Sequence, residues 1–599
     1  MSSLDEYPPT PITTLTPELI AALRERTQTV LSYLAQTNSI STYFKESEIL
    51  SSFRDALHST DDGDQLASTL SNPEKLFQTY HDNVALSVYE HYLPFVSRFF
   101  EQSCKTSSVE NLMAPGLPYF IAHSSGTSGG ATKHFPKYRH PEHMSTSTSQ
   151  TMQASNPVSK HGGKNCIVYS LGYRQVISAL NEDGEVDRRM PVCLMSTGTI
   201  RMYNNMPVEK DPSYQTIRIR NSSSPLGVSF IPNYKSFLFM HALFALQEPR
   251  VELINTMFST IFRDFCRVID EQWETLVECV NKGSIPELEG IDHVKDNLQR
   301  LLPPSPGRAD ELRKIGRVVD TPGWFTKIWP GLRTVVAISS GPFATVVPEL
   351  RHYIGPEVVL QTLGINCSEA FLALAYDHRD ASLYKVVGSD DIIEFLPIDS
   401  PEESKYLTQT WNVELGKKYE VVLTTRDGFW RYRLGDVIDV VGFDPRDGQP
   451  VIHYLERRNV HIRLANEITT ENQLRDAIAS TSDSLGVISE FCVSPDYRES
   501  MPRYGFFVEA QNNVAPSAAS APFELHTYLQ NHNENYLRDS KAGKIGLPVI
   551  RVLRQGTFSD FREWKIRTTN VSSGQVKVPS VIWDEGTRKW LEERVVEEF

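Results

Sequence analysis

A run of hydroxyl-bearing and small residues closed by a lysine is the part of the chain best suited to chemistry. Residues 124–133 read SSGTSGGATK. Glycines let backbone N–H groups approach an anion closely, hydroxyls add donors, and the lysine adds a mobile positive charge. The order is not that of a Walker A loop, which needs Gly-Lys-Ser/Thr. An apolar run precedes it at 117–122, which favours a phosphate-binding loop over a flexible linker.

A second segment offers a carboxylate beside such phosphates. Residues 364–369 read GINCSE and follow the strand-like run VVLQT at 358–362. Sites in α/β proteins lie at the carboxyl ends of strands, and a carboxylate there could hold Mg²⁺. The alternative is that Glu369 is an ordinary first-turn residue of a helix, favoured by the helix dipole.

A third segment ends in a Gly-Asp pair. Residues 424–436 read TTRDGFWRYRLGD. Asp436 could accept hydrogen bonds from the two vicinal hydroxyls of a ribose. The alternative is a Gly-Asp turn whose neighbouring arginines pair with surface carboxylates.

Together the three segments resemble the ATP motifs of the Gretchen Hagen acyl-acid amido synthetases, the auxin- and jasmonate-conjugating enzymes of plants with bacterial and fungal relatives. The family motifs SSGTSxGxxKxxP, YxSSE and YRxGD are similar to SSGTSGGATKHFP, GINCSE and YRLGD, which occur here in that order and far apart. The resemblance extends to IWPGL, to GKKYEVVLTT before the third motif and to QVKVP near the carboxyl end. It covers most of the chain.

The resemblance implies an enzyme that uses ATP and Mg²⁺ to activate a small carboxylic acid as an acyl-adenylate and passes the acyl group to an amine, most often an amino acid. The residues it implies for ATP binding are Ser124, Ser125, Gly126, Thr127, Ser128, Lys133, Ser368, Tyr432 and Asp436. Glu369 is expected to bind Mg²⁺, and Lys577 to reach the α-phosphate as a catalytic residue. Tyr234 and Phe237 are expected at the acyl substrate, although core packing would explain these two residues equally well.

Four residues depart from the family pattern. Ile365 replaces the tyrosine that flanks adenine, and Cys367 replaces the first serine of the second motif. Ile468 stands in place of a basic residue, and Ser580 replaces the arginine that follows Pro579. The last two changes are expected to affect amine binding or small-domain docking.

Three other functions remain open from the sequence. In an acyl-CoA-type ligase, a thiol would intercept the same adenylate. A nucleotide-binding protein without turnover would bind ATP and release no pyrophosphate, and a structural protein with relict motifs would bind no ATP.

Regular elements must position these residues. Thr16 and Pro17 predict a helix start, and the first hundred residues are predicted to be mainly helical. Residues 251–280 follow helical spacing and predict one long amphipathic helix. Short β-rich runs at 334–338, 358–362, 420–424 and 437–441 predict strands. The alternation of strands and helices indicates an α/β body.

The run DPRDGQP at 444–450 predicts the main domain boundary. We expect residues 1–450 to form a large N-terminal α/β domain that binds ATP and the acid. Residues 451–599 are expected to form a smaller, mobile α+β lid. By resemblance this is the firefly-luciferase-like architecture of adenylate-forming enzymes, with the site in the cleft.

Composition limits the partners. A formal net charge of -14 and a pI near 5.7 argue against nucleic acid and anionic membranes. The seven cysteines form no CxxC pair and are expected to be free thiols in a reducing compartment. An acidic amino terminus and the lack of a long apolar run predict a cytoplasmic protein, which we expect to be a monomer.

Overall fold

The computed structural model describes residues 8–58, 72–124, 132–140, 163–317, 321–377, 380–458, 460–510, 514, 516–569, 574 and 576–599. In these ranges strands and helices alternate after a helical amino-terminal segment, as the sequence predicts. The seven cysteines are free thiols, and six of them are buried. No helix in the described part of the chain is both long enough and apolar enough to cross a lipid bilayer.

The strands supply the framework of the molecule. In chain order they are β1 (Phe120–His123), β2 (His134–Lys137), β3 (Lys164–Val168), β4 (Gln175–Leu180), β5 (Val186–Cys193), β6 (Val251–Phe258), β7 (Thr334–Ile338), β8 (Val359–Gln361), β9 (Gly364–Asn366), β10 (Phe371–Asp377), β11 (Asp380–Val386), β12 (Ile392–Pro397), β13 (Thr408–Gln409), β14 (Lys418–Thr424), β15 (Tyr432–Phe443), β16 (Pro450–Arg457), β17 (His461–Ile462), β18 (Thr469–Thr470), β19 (Ile488–Asp496), β20 (Arg503–Ala510), β21 (Val549–Leu553) and β22 (Val595–Glu598).

The helices pack on these strands. In chain order they are α1 (Pro17–Asn38), α2 (Thr42–Glu46), α3 (Ser51–His58), α4 (Pro73–Asn83), α5 (Leu93–Val96), α6 (Thr106–Val109), α7 (Met195–Tyr203), α8 (Asp211–Tyr214), α9 (Tyr234–Gln247), α10 (Ser259–Glu271), α11 (Trp273–Lys282), α12 (Asp292–Arg300), α13 (Pro306–Ile315), α14 (Trp324–Ile328), α15 (Val347–Ile354), α16 (Glu471–Ala479), α17 (Ser482–Leu485), α18 (Ala521–His532), α19 (Glu534–Lys541), α20 (Thr557–Thr569) and α21 (Glu585–Glu592).

Three sheets form the body of the large unit, by which we mean the described residues up to 458. An eight-stranded antiparallel sheet has the order β13-β12-β14-β15-β16-β11-β10-β9, and a mixed sheet has the order β2-β1-β5-β4. The third sheet, β3-β6-β7-β8, is parallel throughout. Helix α9 is buried along nearly its whole length, because it lies between this sheet and other helices.

The small unit, by which we mean the described residues from 460 onward, has a sheet of its own. Strands β19, β20, β21 and β22 pair in that order, α18 packs against β21, and α16 packs against α18. Its hydrophobic core begins at Val460 and includes Leu474, Phe506 and Leu529. The parallel strands β20 and β21 are connected through α18 and α19, and the other two strand pairs are antiparallel, so this unit has the α+β composition predicted for the carboxyl-terminal region.

Buried charges join the two units. Arg562 of α20 donates two hydrogen bonds to Asp264 of α10, at 2.8 and 3.0 Å, and two to Glu490 of β19, at 2.9 and 3.0 Å. Arg263 lies 3.1 Å from the same Glu490 carboxylate. Arg562, Asp264 and Glu490 are all nearly inaccessible to solvent. We call Asp264, Glu490 and Arg562 the interface triad.

The predicted long helix at 251–280 is wrong in its first part. Residues Val251–Phe258 form strand β6, and the rest of the segment forms two helices, α10 and α11, that are separated at Gln272. This strand lies between two parallel neighbours, so nearly all its side chains are buried on both faces and its polarity does not alternate. A continuous apolar run of this kind is not distinguishable from a helix by spacing alone.

The other predicted elements are confirmed. Thr16 caps α1, since its hydroxyl accepts a hydrogen bond from the Leu19 N–H at 3.3 Å. The four predicted strands correspond to β7, β8, β14 and the second half of β15. The predicted break at 444–450 is a hairpin connection, because β15 and β16 pair from Asp436 opposite Arg457 to Phe443 opposite Pro450. The domain boundary therefore stays a prediction, and this pairing favours a position just after Arg457.

Candidate active site

A cavity of about 260 Å³ lies between the large and small units. It receives side chains from the ends of several strands and from the segment that ends at Ser580. The predicted site residues that line it are Ser124, Lys133, Ser368, Glu369, Asp436 and Lys577. A more open cleft of about 600 Å³ lies elsewhere on the large unit and contains none of them.

The hairpin of β1 and β2 holds the two ends of the predicted phosphate loop. The Ser124 N–H donates to the Lys133 carbonyl at 2.9 Å, and the Lys133 N–H donates to the Ser124 hydroxyl at 3.0 Å. Ser125, Gly126, Thr127 and Ser128 lie outside the described residues, so their part in ATP binding stays a prediction.

Tyr432 contacts the site through Lys133. The Lys133 ammonium lies 3.4 Å from the Tyr432 hydroxyl and 5.5 Å from the centre of the Tyr89 ring. Tyr432 is buried and does not itself line the cavity. The two rings form a π-rich surface behind the lysine, which attracts its positive charge and fixes its direction.

Glu369 lies in the turn between β9 and β10, and no helix begins there. The Cys367 N–H donates to the Ala370 carbonyl at 3.1 Å and closes this turn. The alternative that Glu369 is a first-turn helical residue is therefore wrong. Ser368, its neighbour, donates through its hydroxyl to the carbonyl of His123 at 3.4 Å, which ties the turn to the end of β1.

A buried lysine, Lys137, contacts the turn that carries Glu369. Lys137 donates to the backbone carbonyl of Glu369 and forms an ion pair with Asp427 at 3.0 Å. Burial raises the pKa of the Glu369 carboxyl above its usual value, although Arg457 and Lys137 oppose this effect. A carboxyl that is costly to ionise gains from a nearby cation, so the position suits a divalent metal ion.

Asp436 points into the cavity from β15. Arg457, directly opposite it on β16, donates to its carboxylate at 2.9 Å. Two arginines of the third motif stabilise the fold. Arg431 pairs with Glu394 at 3.0 Å, and Arg433 pairs with Glu420 at 2.8 Å. The alternative is correct in that both arginines are paired and wrong in that Glu394 and Glu420 are buried and do not lie at the surface.

Lys577 reaches the cavity from the small unit. Its ammonium lies 4.7 Å from the centre of the Phe258 ring and 5.5 Å from that of Phe343. Burial is the main cause that lowers the pKa of Lys577, Arg457 adds to it, Asp436 and Glu471 oppose it, and the net pKa is about 8. The side chain therefore remains largely protonated at neutral pH, with a charge available for phosphate oxygens.

Tyr234 and Phe237 do not line the cavity. Both belong to α9 and are fully buried. The Tyr234 hydroxyl donates to Asp264 at 2.8 Å, and Phe237 packs edge-on against His241. The apolar side chains that do line the cavity include Leu194, Met195, Met257, Phe258, Ile338 and Phe343. Most of these lie at or just after the ends of β5, β6 and β7.

The donor set fits one Mg²⁺ ion held together with a nucleotide. Among the described residues, no group of three or more His, Cys, Asp or Glu side chains could hold a metal ion alone. Mg²⁺ is usually bound by one or two carboxylates, substrate phosphates and water. Glu369 can supply one such carboxylate at this cavity.

Comparison with known proteins decides the family. Residues 28–359 match the GH3 family N-terminal domain, residues 385–457 the GH3 family central domain, and residues 472–586 the GH3 family C-terminal domain. The chain belongs to the GH3 family. This confirms the resemblance drawn from the three motifs.

Relatives of this GH3 protein are similar along most of their length. The 4-substituted benzoates-glutamate ligase GH3.12 of Arabidopsis thaliana is 24% identical over 545 residues, which cover 87% of this chain and 90% of that protein. The jasmonoyl--L-amino acid synthetase GH3.5 of Oryza sativa subsp. japonica is 25% identical over 520 residues, covering 81% and 83%.

A solved GH3 structure shares the fold. The structure of GH3.15 acyl acid amido synthetase superposes with a TM-score of 0.75 at 19% identity, and the match covers 97% of this chain and 95% of that one. The predicted fold class, a large α/β amino-terminal part with a smaller carboxyl-terminal part, is confirmed as the fold of this GH3 structure.

Proposed function

We propose that this GH3 protein is an acyl-acid amido synthetase, which uses ATP to activate a small carboxylic acid and joins it to an amine, expected to be an amino acid. The similar proteins named above carry names of this kind. The observation that carries the proposal is the meeting of Lys133, Glu369, Asp436 and Lys577 at one cavity. These residues come from three separate motifs and from the far end of the chain.

We assign the nucleotide to the polar side of the cavity. Ser124 and Lys133 would hold phosphate oxygens, and Asp436 would accept hydrogen bonds from the ribose hydroxyls. Glu369 would hold Mg²⁺, which neutralises phosphate charge when bound. Ile365, which lines the same cavity, would present an aliphatic face to the adenine.

The first step forms the acyl-adenylate. A carboxylate oxygen of the acid attacks the α-phosphorus of ATP in line and forms a new P–O bond. The bond from that phosphorus to the bridging oxygen breaks, and pyrophosphate leaves with the electron pair. The Lys577 ammonium stabilises the negative charge that develops on the phosphate oxygens.

The second step forms the amide. The amine nitrogen attacks the acyl carbon and a C–N bond forms, AMP leaves with the electron pair of the broken C–O bond, and the amine nitrogen releases a proton to water. The small unit carries Lys577, Val578, Pro579 and Ser580 at the cavity. We propose that this unit reorients between the two steps and admits the amine.

The test is pyrophosphate release with ATP and Mg²⁺ across aromatic, fatty and hydroxy acids, each with and without pooled amino acids. Release that requires the acid and produces an amide detectable by mass spectrometry is the expected result. Coenzyme A in place of the amines tests a thiol acceptor. Binding of ATP without release for any acid would contradict the proposal and favour a nucleotide-binding protein without turnover.

We also propose that the protein acts as a cytoplasmic monomer with no nucleic-acid or membrane partner. Its net charge of -14 opposes binding to polyanions. Light scattering coupled to size exclusion tests the monomer, because a mass twice that of the 67.8 kDa chain would contradict it.

A further inference from the structure

The charged end of Lys577 lies against two aromatic rings of the opposite unit. The rings of Phe258 and Phe343 stack with centres 4.6 Å apart and planes 16° from parallel. The ammonium is 4.7 Å from the first centre and 5.5 Å from the second. Both distances fall within the range of a cation–π interaction. We call these two residues the aromatic pair.

The aromatic pair is fixed by its surroundings. Phe258 ends β6 and is 4% exposed. The next residue, Ser259, donates through its hydroxyl to the Phe343 carbonyl at 2.7 Å, which connects the backbones that carry the two rings. In the same turn as Phe343, Thr345 donates to the Ser489 carbonyl of the small unit at 2.9 Å. The turn is thus anchored to both units.

A lysine needs such support more than most catalytic residues. Its four-carbon side chain has many rotamers, and fixing one of them costs conformational entropy. A group that stabilises a transition state must be held close to its working position before the reaction. Leucine or methionine would fill the same space without attracting a positive charge.

We infer that Phe258 and Phe343 are positioning residues, which hold the Lys577 ammonium at the cavity for the adenylation step. This inference rests on the proposed function, in which Lys577 contacts the α-phosphate. The aromatic pair lies in the large unit and the lysine in the small unit. The contact therefore favours the arrangement of the two units in which the Lys577 ammonium lies at the cavity.

The other charged and titratable groups around Lys577 are Arg457, Asp436, Glu471 and the Cys367 thiol. Arg457 disfavours the ammonium, whereas Asp436 and Glu471 favour it. The ring faces act in the same direction as the carboxylates, because they stabilise only the charged form. Replacing a ring by leucine keeps the site dry and removes this stabilisation, so the pKa of Lys577 is expected to fall.

The test compares Phe258→Leu and Phe343→Leu with Phe258→Tyr and Phe343→Tyr, which keep a π face. The readout is kcat/KM for ATP in acid-dependent pyrophosphate release from pH 6 to 10. We expect each leucine variant to lose roughly five- to tenfold at neutral pH, and its alkaline midpoint to move about half a unit lower. The tyrosine variants are expected to stay close to wild type.

Two results would overturn the inference. One is a leucine variant with the rate and alkaline midpoint of wild type. The other is an equal loss in the leucine and tyrosine variants at an unchanged midpoint, which indicates a packing role only. If Phe258→Leu fails to fold, the half-buried Phe343 carries the comparison.

A readout without turnover separates this inference from the proposed function. Competitive labelling of Lys577 with acetic anhydride at a series of pH values, followed by mass spectrometry of its peptide, measures the protonation of the amine directly. We expect a lower labelling midpoint in Phe258→Leu than in wild type and in Phe258→Tyr. Equal labelling midpoints would contradict the positioning role of the aromatic pair. A lack of pyrophosphate release in wild type would contradict only the proposed function.

Discussion

Opposite charges share a small space at the cavity between the units. Glu369, Asp436 and Glu471 supply negative charge, and Lys133, Arg457 and Lys577 supply positive charge. Phosphates and a metal ion would enter a cavity in which positive and negative side chains already balance each other. Burial and neighbouring charges shift the pKa values of Glu369, Glu471 and Lys577, so pH and single substitutions are informative probes.

The pH dependence of adenylation reports on Lys577. Burial lowers the pKa of its ammonium from the usual 10.5 to about 8, so the charged form is present below that pH and lost above it. We expect kcat/KM for ATP to fall as pH rises through about 8. Lys577→Met is expected to lower pyrophosphate release by about a hundredfold at neutral pH.

Lys577→Arg is the matched control for that pH profile. Arginine stays charged throughout this range, so the alkaline fall is expected to disappear even if the altered geometry lowers the rate. An alkaline fall at the same pH in Lys577→Arg would assign the titration to another group.

The proposed role of the Glu369 carboxylate in holding Mg²⁺ can be tested through the Mg²⁺ dependence of the reaction. Glu369→Gln keeps the shape of the side chain and removes the charge that would hold Mg²⁺. We expect pyrophosphate release to fall by about a hundredfold and half-maximal rate to require more Mg²⁺. The control is Glu414→Gln at an exposed ion pair with Lys417. An unchanged Mg²⁺ requirement in Glu369→Gln would remove Glu369 from the metal site.

Sequence motifs identify most of the charged residues of the site and miss Arg457. Asp436 and Lys577 stand in recognisable strings, whereas Arg457 is a lone arginine at the end of β16. Its contact with Asp436 depends on the register of two strands, which places the residues directly opposite each other. No local pattern contains that register. Tyr234 and Phe237 do not line this cavity, and the sequence does not indicate this, because apolar helical residues look alike in a core and at a site.

Short connections between strands place the reacting groups. The hairpin of β1 and β2 positions Ser124 and Lys133, and the hairpin of β9 and β10 positions Glu369. The strands themselves are predictable where β-rich runs are bounded by turn residues, as for β7, β8 and β14. Strand β6 is not predictable in this way, because burial on both faces removes the alternation that distinguishes a strand.

The backbone of the β9–β10 hairpin requires a glycine at position 364. Its φ is +144°, and a Cβ there would lie 2.2 Å from the Ala373 carbonyl oxygen. We expect Gly364→Ala to lower the free energy of unfolding by about 2–4 kcal/mol and to reduce activity, because the turn that carries Glu369 must move. Chemical denaturation and the pyrophosphate assay measure the two effects.

Gly556→Ala is the control for that substitution. Gly556 also has a positive φ, +85°, but no atom of the described residues lies within 4 Å of the position that a Cβ would take there. Only the conformational cost remains, about 1 kcal/mol. Equal losses in the two variants would mean that the close approach at Ala373 is relieved without cost.

At the scale of the whole molecule, the units are joined by charge as well as by apolar contact. Ile566 and Val576 of the small unit belong to the core around α9, and Arg562 bonds to both units through the interface triad. Sequence reasoning predicts two units and a cleft. It does not predict this interface, because Asp264 and Arg562 are far apart in the chain and neither belongs to a motif.

Arg562→Met removes four hydrogen bonds from the buried carboxylates of Asp264 and Glu490 and leaves Arg263 as their shared arginine. We expect this variant to lose about 3–5 kcal/mol of unfolding free energy, which denaturation followed by tryptophan fluorescence measures. Arg567→Met on the same helix is the control, because Arg567 is 55% exposed where it pairs with Glu289 and Glu563. A similar small loss in both variants would show that the triad contributes little to joining the units.

The interface triad also constrains how the sequence can drift. Loss of the charge at Arg562 alone leaves two buried carboxylates to share Arg263, and loss of the charge at Asp264 alone leaves Arg562 with Glu490, whereas an apolar replacement of the whole group is often tolerated. Sequences in which only one of these residues has changed would therefore be less stable and would be removed by selection. Aligned GH3 sequences are expected to keep or lose the carboxylates and the guanidinium together, although these positions lie in different domains of the family.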